Sequence, residues 1–314
     1  MKTQIYKFLF EKGQKVKKAL GIENFEALKK KKKRKLLRVF YKKKYTTNDI
    51  IEVMRTMGMK KGSIVFIHSS MTEFYNYVGT AEELITRVIQ EIGEEGTLMM
   101  PAFPKFENII KVDDKVDFDV RYTPSGAGYL TEVFRKHPGV KRSINIQQSV
   151  CAYGRLADYF VLEHHHSLTA WDEYSPYYKM SQAPALVFAF GLSAQYLGTM
   201  IHCTESILRT KYMYFQMFFK KEVVYKYRDY EGNVRTHCYL SHDFARKSRK
   251  NNIIKYIESI QFKHTKISNL SIRMIDAKYI LDLYLQLADR GITMYSIPST
   301  KGFLDDSGKF LKIK

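Results

Sequence analysis

Apolar positions along this chain follow two periods in alternation, and that order is the first thing the sequence establishes. Thr46-Thr47-Asn48-Asp49 offers hydroxyl or Asn caps to a helix running to about Met59, and Gly62 ends the turn after it. Residues 63–67, Ser-Ile-Val-Phe-Ile, read as a buried strand with His68-Ser69-Ser70 at its carboxyl end, where open α/β sheets place ligands. Residues 81–92 then predict a helix, Gly93 and Gly96 break it, and 97–100 predict a second strand closed by Pro101 and Pro104. This alternation gives an α/β class. Later parts look antiparallel. Residues 222–228 and 234–240 alternate apolar and polar positions around Tyr230-Glu231-Gly232-Asn233, a hairpin signal. Residues 272–289 have helical periodicity, and no internal repeat of fixed period occurs.

Charge divides the chain where periodicity does not. Of the net +20, residues 1–45 carry +14, from 17 Lys and Arg against Glu11, Glu23 and Glu26; the other 269 residues carry +6. The expected organisation is therefore a basic helical or flexible extension, 1–45, and one folded body, 46–314. In the extension, Lys29 to Lys35 are seven consecutive basic residues, followed by Leu36, Leu37, Val39, Phe40 and Tyr41. A solvated helix or tail fits that run, and so does a segment seated on anionic lipid. Nucleic acid has only electrostatics in its favour, because no RNP motif or zinc-finger spacing accompanies the charge. The body, 45% hydrophobic across the whole sequence, has ample material for a core. Cys151, Cys203 and Cys238 form no C-x-x-C pair, and the apolar stretch at 183–194 is too short for a membrane span. These features and the lack of a signal region predict a cytoplasmic protein, with peripheral contact at the inner face of the membrane through the extension.

Candidate chemistry centres on Thr199, His202 and Glu205, three residues apart after an apolar strand. On a helix they share one face, so Glu205 can hold His202 while His202 takes a proton from a nucleophile. Thr123-Pro124-Ser125-Gly126-Ala127-Gly128 precedes a helix pattern running to Arg135, with Ser125 as a cap or a ligand contact. Arg142 beside Ser143, with Ser149 further on, suits a phosphate. Asp113, Asp114, Asp117 and Asp119, together with Asp172 and Glu173, are acidic loops that suit a cationic substrate. His164-His165-His166 is a poor metal site, because three adjacent side chains do not converge on one ion. Cys203 beside His202 would point to a different helix face. No G-x-S-x-G elbow, P-loop or G-x-G-x-x-G fingerprint occurs.

In order, the chain carries Ile67-His68-Ser69-Ser70, the run Gly96-Thr97-Leu98-Met99-Met100-Pro101-Ala102-Phe103, Thr123-Pro124-Ser125 before Gly128, and Phe134-Arg135 with Pro138-Gly139 and Arg142-Ser143. Ser149 with Gly154, Ser175-Pro176-Tyr177 and Thr199-x-x-His202-x-x-Glu205 follow. This series resembles the aminoglycoside 3-N-acetyltransferase family across residues 47–206. The resemblance implies the antibiotic N-acetyltransferase fold, a single α/β domain with a central mixed sheet flanked by helices, distinct from the GNAT fold. It implies acetyl transfer from acetyl-coenzyme A to a primary amine of an amino sugar, an aminoglycoside or a cell-surface glycan intermediate, without a metal. By position, His202 is the base, Glu205 its orienter and Thr199 the oxyanion support. His68, Ser69, Ser70, Ser125, Arg142, Ser143 and Ser149 become coenzyme contacts, and Asp117, Asp119, Asp172 and Glu173 substrate contacts.

Two departures bear on those contacts. Where the family has x-His-Pro after Arg-Ser, this chain has Ile144-Asn145-Ile146, and Asp172 stands at a usual Gly. The competing expectation is a non-catalytic membrane- or nucleic-acid-associated protein that uses its basic extension on the same fold.

Overall fold

The computed structural model describes residues 39–104, 116–194, 199–219, 221–242, 248–249, 253–258, 260–297 and 299–313. Tyr45–Lys314 forms one compact unit separate from residues 1–44. The polybasic run and the acidic residues Asp113 and Asp114 lie outside the described residues.

A seven-stranded mixed sheet organises this unit. Its centre is three parallel strands: β1 (Ile64–Ser69) lies between β2 (Thr97–Pro101) and β6 (Ala185–Phe190). Antiparallel strands complete both sides. Next to β2 stand β5 (Val150–Gly154) and β4 (Lys141–Arg142), and next to β6 stand β11 (Leu270–Asp276) and β10 (Phe262–Ile267). The chain leaves β1 for β2 on one side and returns to β6 on the other. The carboxyl end of β1 is therefore a topological switch point, where neighbouring connections diverge and leave a crevice.

Alternation along these strands sends residues to two different cores. Ile64, Phe66, Met99, Val187 and Ala189 join one cluster with α4 (Ala157–Val161), α5 (Pro176–Ser181), α6 (Ile201–Leu208) and α8 (Ala277–Asp289). Val65, Ile67, Leu98, Phe188 and Phe190 join the other with α1 (Thr47–Thr56), α2 (Ala81–Ile92) and α3 (Tyr129–Arg135). The result is a helix–sheet–helix sandwich, in which β1 reads as a continuous apolar run because both its faces are covered. A three-stranded sheet packs its own small core: β3 (Phe118–Asp119) lies against the hairpin of β7 (Lys221–Arg228) and β8 (Val234–Ser241). The described residues also include the short helix α7 (Met213–Gln216) and the antiparallel pair β9 (Ser248–Arg249) and β12 (Tyr295–Ile297).

Local chemistry accounts for most boundaries. Thr46 and Asp49 cap α1 reciprocally, and the helix ends at Thr56, three residues short of the sequence expectation, because Gly58 takes a positive φ. Gly191, at φ +68, follows β6; a Cβ there would lie 2.5 Å from the Glu73 Cβ, so only glycine lets β6 end beside the turn after β1. Two expectations change. Residues 272–276 belong to a strand, since Ile272 and Met274 alternate into the core and the helix starts only after Asp276 caps it. The cap of α3 is Gly128, and Ser125 instead accepts a hydrogen bond from the Ala127 amide.

Candidate active site

The carboxyl end of β1 and the start of α6 bring the central groups together. His68 follows the same alternation as Ile64 and Phe66 and so projects to the α6 side of the sheet, where its Nε2 lies 3.0 Å from the Thr199 Oγ1. Burial pushes the His68 pKa down to about 4, because a cationic ring would lose its water there. Thr199 precedes the helix: the His202 amide donates to its carbonyl, and α6 begins at Ile201.

Within α6 the three-residue spacing does what a helix requires of it. His202 Nδ1 is 3.0 Å from Glu205 Oε2, the ring N–H donating to the carboxylate. Glu205 is fully buried and accepts a second, short hydrogen bond at the same oxygen from His242 Nε2, at the end of β8. Trp171 packs against both rings, with centroids 5.0 Å from His202 and 5.2 Å from His242. Low dielectric around this imidazole–carboxylate–imidazole array strengthens each bond and makes each costly to break. His202 keeps 8% of its surface exposed, whereas Glu205 keeps none, so any solute meets the array through His202.

Among the described residues, His202, Glu205 and His242 are the one group of three whose ligating atoms lie within 4.8 Å of one another. Two imidazoles and a carboxylate are also a set that zinc takes. Here, however, one carboxylate oxygen already bonds to both rings at hydrogen-bond range, an arrangement suited to sharing protons. His164 has no metal geometry. Its ring is held by the Ser143 hydroxyl, 2.8 Å away, and the Ala170 carbonyl, and burial drives its pKa down to about 3. Cys203 is wholly buried and its thiol is pushed well above the ordinary range by that burial, so it is no nucleophile.

The other predicted residues are spread through the fold. Ser69 and Ser70 follow His68; the Ser70 hydroxyl pairs with Thr72 and its amide with the Phe190 carbonyl. Arg142 is 2% exposed, and its guanidinium donates to the Ser149 Oγ and to the carbonyls of Thr123 and Ala102 over the Phe118 ring. Ser143 and Ser149 are equally buried and bond to the Val150 amide and the Ala102 carbonyl, respectively. These three clamp the loop between β4 and β5, with their donors committed inside the protein. Ser125 donates its backbone amide to Glu132, which Arg135 also holds.

Among the acids, Asp117 accepts from the Lys226 amide, and Asp119 from the amides of Arg121 and Tyr122. Asp172 accepts from the amides of Thr169 and Tyr174, and burial raises its pKa. Asp172 thus holds its own turn through two backbone amides. Glu173 beside it is exposed.

Sequence reasoning passes over His242 and Trp171. His242 lies 37 positions from Glu205 and belongs to another element, so no local spacing marks it. Only the match between the hairpin register and α6 could have revealed it.

Comparison with known proteins agrees with this architecture. The sequence profile of the aminoglycoside 3-N-acetyltransferase family matches residues 66–288. The SPbeta prophage-derived aminoglycoside N(3')-acetyltransferase-like protein YokD of Bacillus subtilis (strain 168) is 31% identical over 137 residues, 38% of this chain and 50% of that protein. Aminoglycoside N(3)-acetyltransferase III of Salmonella sp is 28% identical over 127 residues, 36% of this chain and 44% of its own. The chain thus spans about half the length of the curated relatives it matches. Among solved structures, AAC-IIIb as a binary complex with CoASH superimposes with a TM-score of 0.65 at 18% identity, covering 82% of this chain and 100% of that one. AAC-VIa bound to sisomicin gives 0.64 at 18% identity, covering 78% and 97%. With more than two thirds of its length matched by the family profile and its fold shared with those enzymes, the chain belongs to the aminoglycoside 3-N-acetyltransferase family.

Proposed function

We propose that the protein transfers an acetyl group from acetyl-coenzyme A to a primary amine of an amino sugar, with His202 as general base. The observation that carries this reading is the buried His202–Glu205–His242 array beside Thr199. The protonated amine first gives up a proton to solvent. The neutral nitrogen then attacks the thioester carbonyl as His202 Nε2 takes its second proton, because Nδ1 is bonded to Glu205. Glu205 stabilises the resulting imidazolium, and His242 holds the same carboxylate oxygen. When the tetrahedral intermediate collapses, the carbon–sulfur bond breaks and the imidazolium returns its proton to the coenzyme A thiolate. Thr199 supports the oxyanion.

The neighbours solved with coenzyme A and with sisomicin support the two ligand classes. Ser69 ends β1 and Ser70 follows it at the crevice, where both suit the pantetheine arm. The exposed Glu173 suits an ammonium of the acceptor, and Asp172 beside it holds the turn that presents it. An aminoglycoside and an amino-sugar intermediate of cell-surface glycan synthesis both satisfy this chemistry.

The test is to incubate the full chain with acetyl-coenzyme A and a panel of amino sugars, following free thiol and acetylated product together. His202→Ala should lower kcat about 10²- to 10⁴-fold, the usual contribution of a positioned base. Full activity in that variant would sink the mechanism, and no thiol release with any amine would sink the activity itself.

A further inference from the structure

One contact at the crevice is not used by the proton relay, and it joins two elements 131 positions apart: the His68 Nε2 and the Thr199 Oγ1, at 3.0 Å. We propose that His68 is a positioning residue whose Nε2–H donates to the Thr199 oxygen and so turns the Thr199 hydroxyl proton toward the oxyanion of the tetrahedral intermediate. The inference rests on the acyl-transfer reading above and adds a role that reading does not contain.

Proton counting decides the direction of the bond. A threonine hydroxyl has one hydrogen. If His68 accepted it, Thr199 would have only lone pairs to offer a negatively charged oxygen, and the pair would repel rather than support the intermediate. If His68 donates, the hydroxyl hydrogen points away from the ring and is available. Burial to 8% exposure, with a pKa lowered to about 4, keeps the ring neutral near neutral pH, so it has a single N–H to place. Among the described residues Thr199 is its one hydrogen-bond partner, so that N–H finds an acceptor at Nε2. Burial also makes the neutral ring a weak base, so it orients the hydroxyl without taking the proton that His202 must accept.

The ring itself is fixed by packing. Its edge meets Phe66 at 4.8 Å with an interplanar angle of 64°, and the backbone of residue 68 is locked in register with Ala189 of β6. A donor held by a central strand needs no reorganisation as charge develops, which is where oxyanion stabilisation gains its effect.

Two readouts on the full chain test the proposal. Long-range nitrogen–proton NMR of the imidazoles should show His68 as the Nε2–H tautomer, with its signals shifted by Thr199→Val; an Nδ1–H tautomer overturns the hydrogen bond as drawn. Kinetically, His68→Phe should lower kcat on the order of 10²-fold, the effect of losing one oxyanion donor, while KM for acetyl-coenzyme A stays within about threefold. His68→Gln, which keeps an N–H near the Nε2 position, should recover about tenfold of that loss, and the double variant His68→Phe/Thr199→Val should be no slower than the slower single variant. Losses that multiply, or a raised KM with unchanged kcat, assign His68 to the coenzyme and overturn the proposal. Circular dichroism and thermal unfolding report whether each variant folds. A wild-type chain inactive toward every amine overturns the acyl-transfer reading and with it the oxyanion role, whereas the tautomer decides the hydrogen bond independently of activity.

Discussion

Glu205 has no exposed surface, and a carboxylate survives such burial only where hydrogen bonds replace its water. Both imidazoles of the array supply them, so each residue acts through the others. Glu205→Gln keeps the shape but exchanges a two-oxygen acceptor for an amide and loses the charge that stabilises an imidazolium. We expect a fall in kcat on the order of 10³- to 10⁴-fold, comparable with amide substitution in other acid–histidine pairs, with KM little changed. His242→Phe should lower kcat less, since His202 keeps its own bond to Glu205. Equal losses from both substitutions would place His242 in the chemistry rather than behind it. Acid stability is set nearby. His68 and His164 have pKa values lowered to about 4 and about 3 by burial, below the ordinary 6.5 of the unfolded chain. Between those values and 6.5 the unfolded state binds more protons than the folded one. The stability these rings contribute is therefore complete above about pH 6.5 and is lost as pH falls toward 4 and then 3, a change on the order of a few kcal/mol. Chemical denaturation from pH 7.5 to 4 measures it; His164→Gln should flatten the slope, and an unchanged slope would contradict the assignment.

At the scale of elements, the strand–helix alternation carries the site to one place. Phe66 projects from β1 into the same core as α6 and faces both His68 and Tyr177 at ring-contact distance. Phe66→Ala should cost about 3–5 kcal/mol, the usual range for a buried aromatic, and should loosen His68 as well; a loss of stability with kcat intact would separate the core from the site. The sequence made local features legible. Thr46 and Asp49 cap α1, the β7–β8 hairpin sits around Gly232 and Asn233, and His202 faces Glu205, because each depends on neighbours within four positions. Features closed by distant pairing were not legible. His242 reaches Glu205 across 37 positions, and Arg142 reads as a phosphate ligand until the carbonyls of Thr123 and Ala102 are seen to take its donors. Residues 272–276 read as helix because a strand feeding directly into a helix has apolar positions that satisfy both periods over a few residues.

Across the molecule, the excess charge and the candidate site occupy different parts of the chain. The body from 46 onward carries +6, and residues 1–45 carry +14. No helix among the described residues is long and apolar enough to cross a membrane. We expect the full chain to co-sediment with vesicles containing anionic phospholipid and to release as salt rises, while a chain starting at residue 45 stays in the supernatant. Equal recovery of the two would refute a membrane role for the extension. Metal provides a second test at this scale. Dialysis against EDTA should leave acetyl transfer unchanged, because the ring nitrogens that face Glu205 donate their N–H to it rather than offering lone pairs to a cation; activity lost to EDTA and restored by Zn²⁺ would reassign the array as a zinc site.

In the proposed reaction His202, held by Glu205, takes the proton that an amino-sugar nitrogen sheds as it attacks a thioester. Mass spectrometry of the acceptor after incubation with acetyl-coenzyme A, run in parallel for wild type and His202→Ala, addresses that step most directly. We expect one acetyl group on a primary amine with equimolar free thiol, and both products from the variant at rates about 10²- to 10⁴-fold lower. Equal acetylation by the two proteins, or thiol released without acetylated amine, would contradict the proposed reaction.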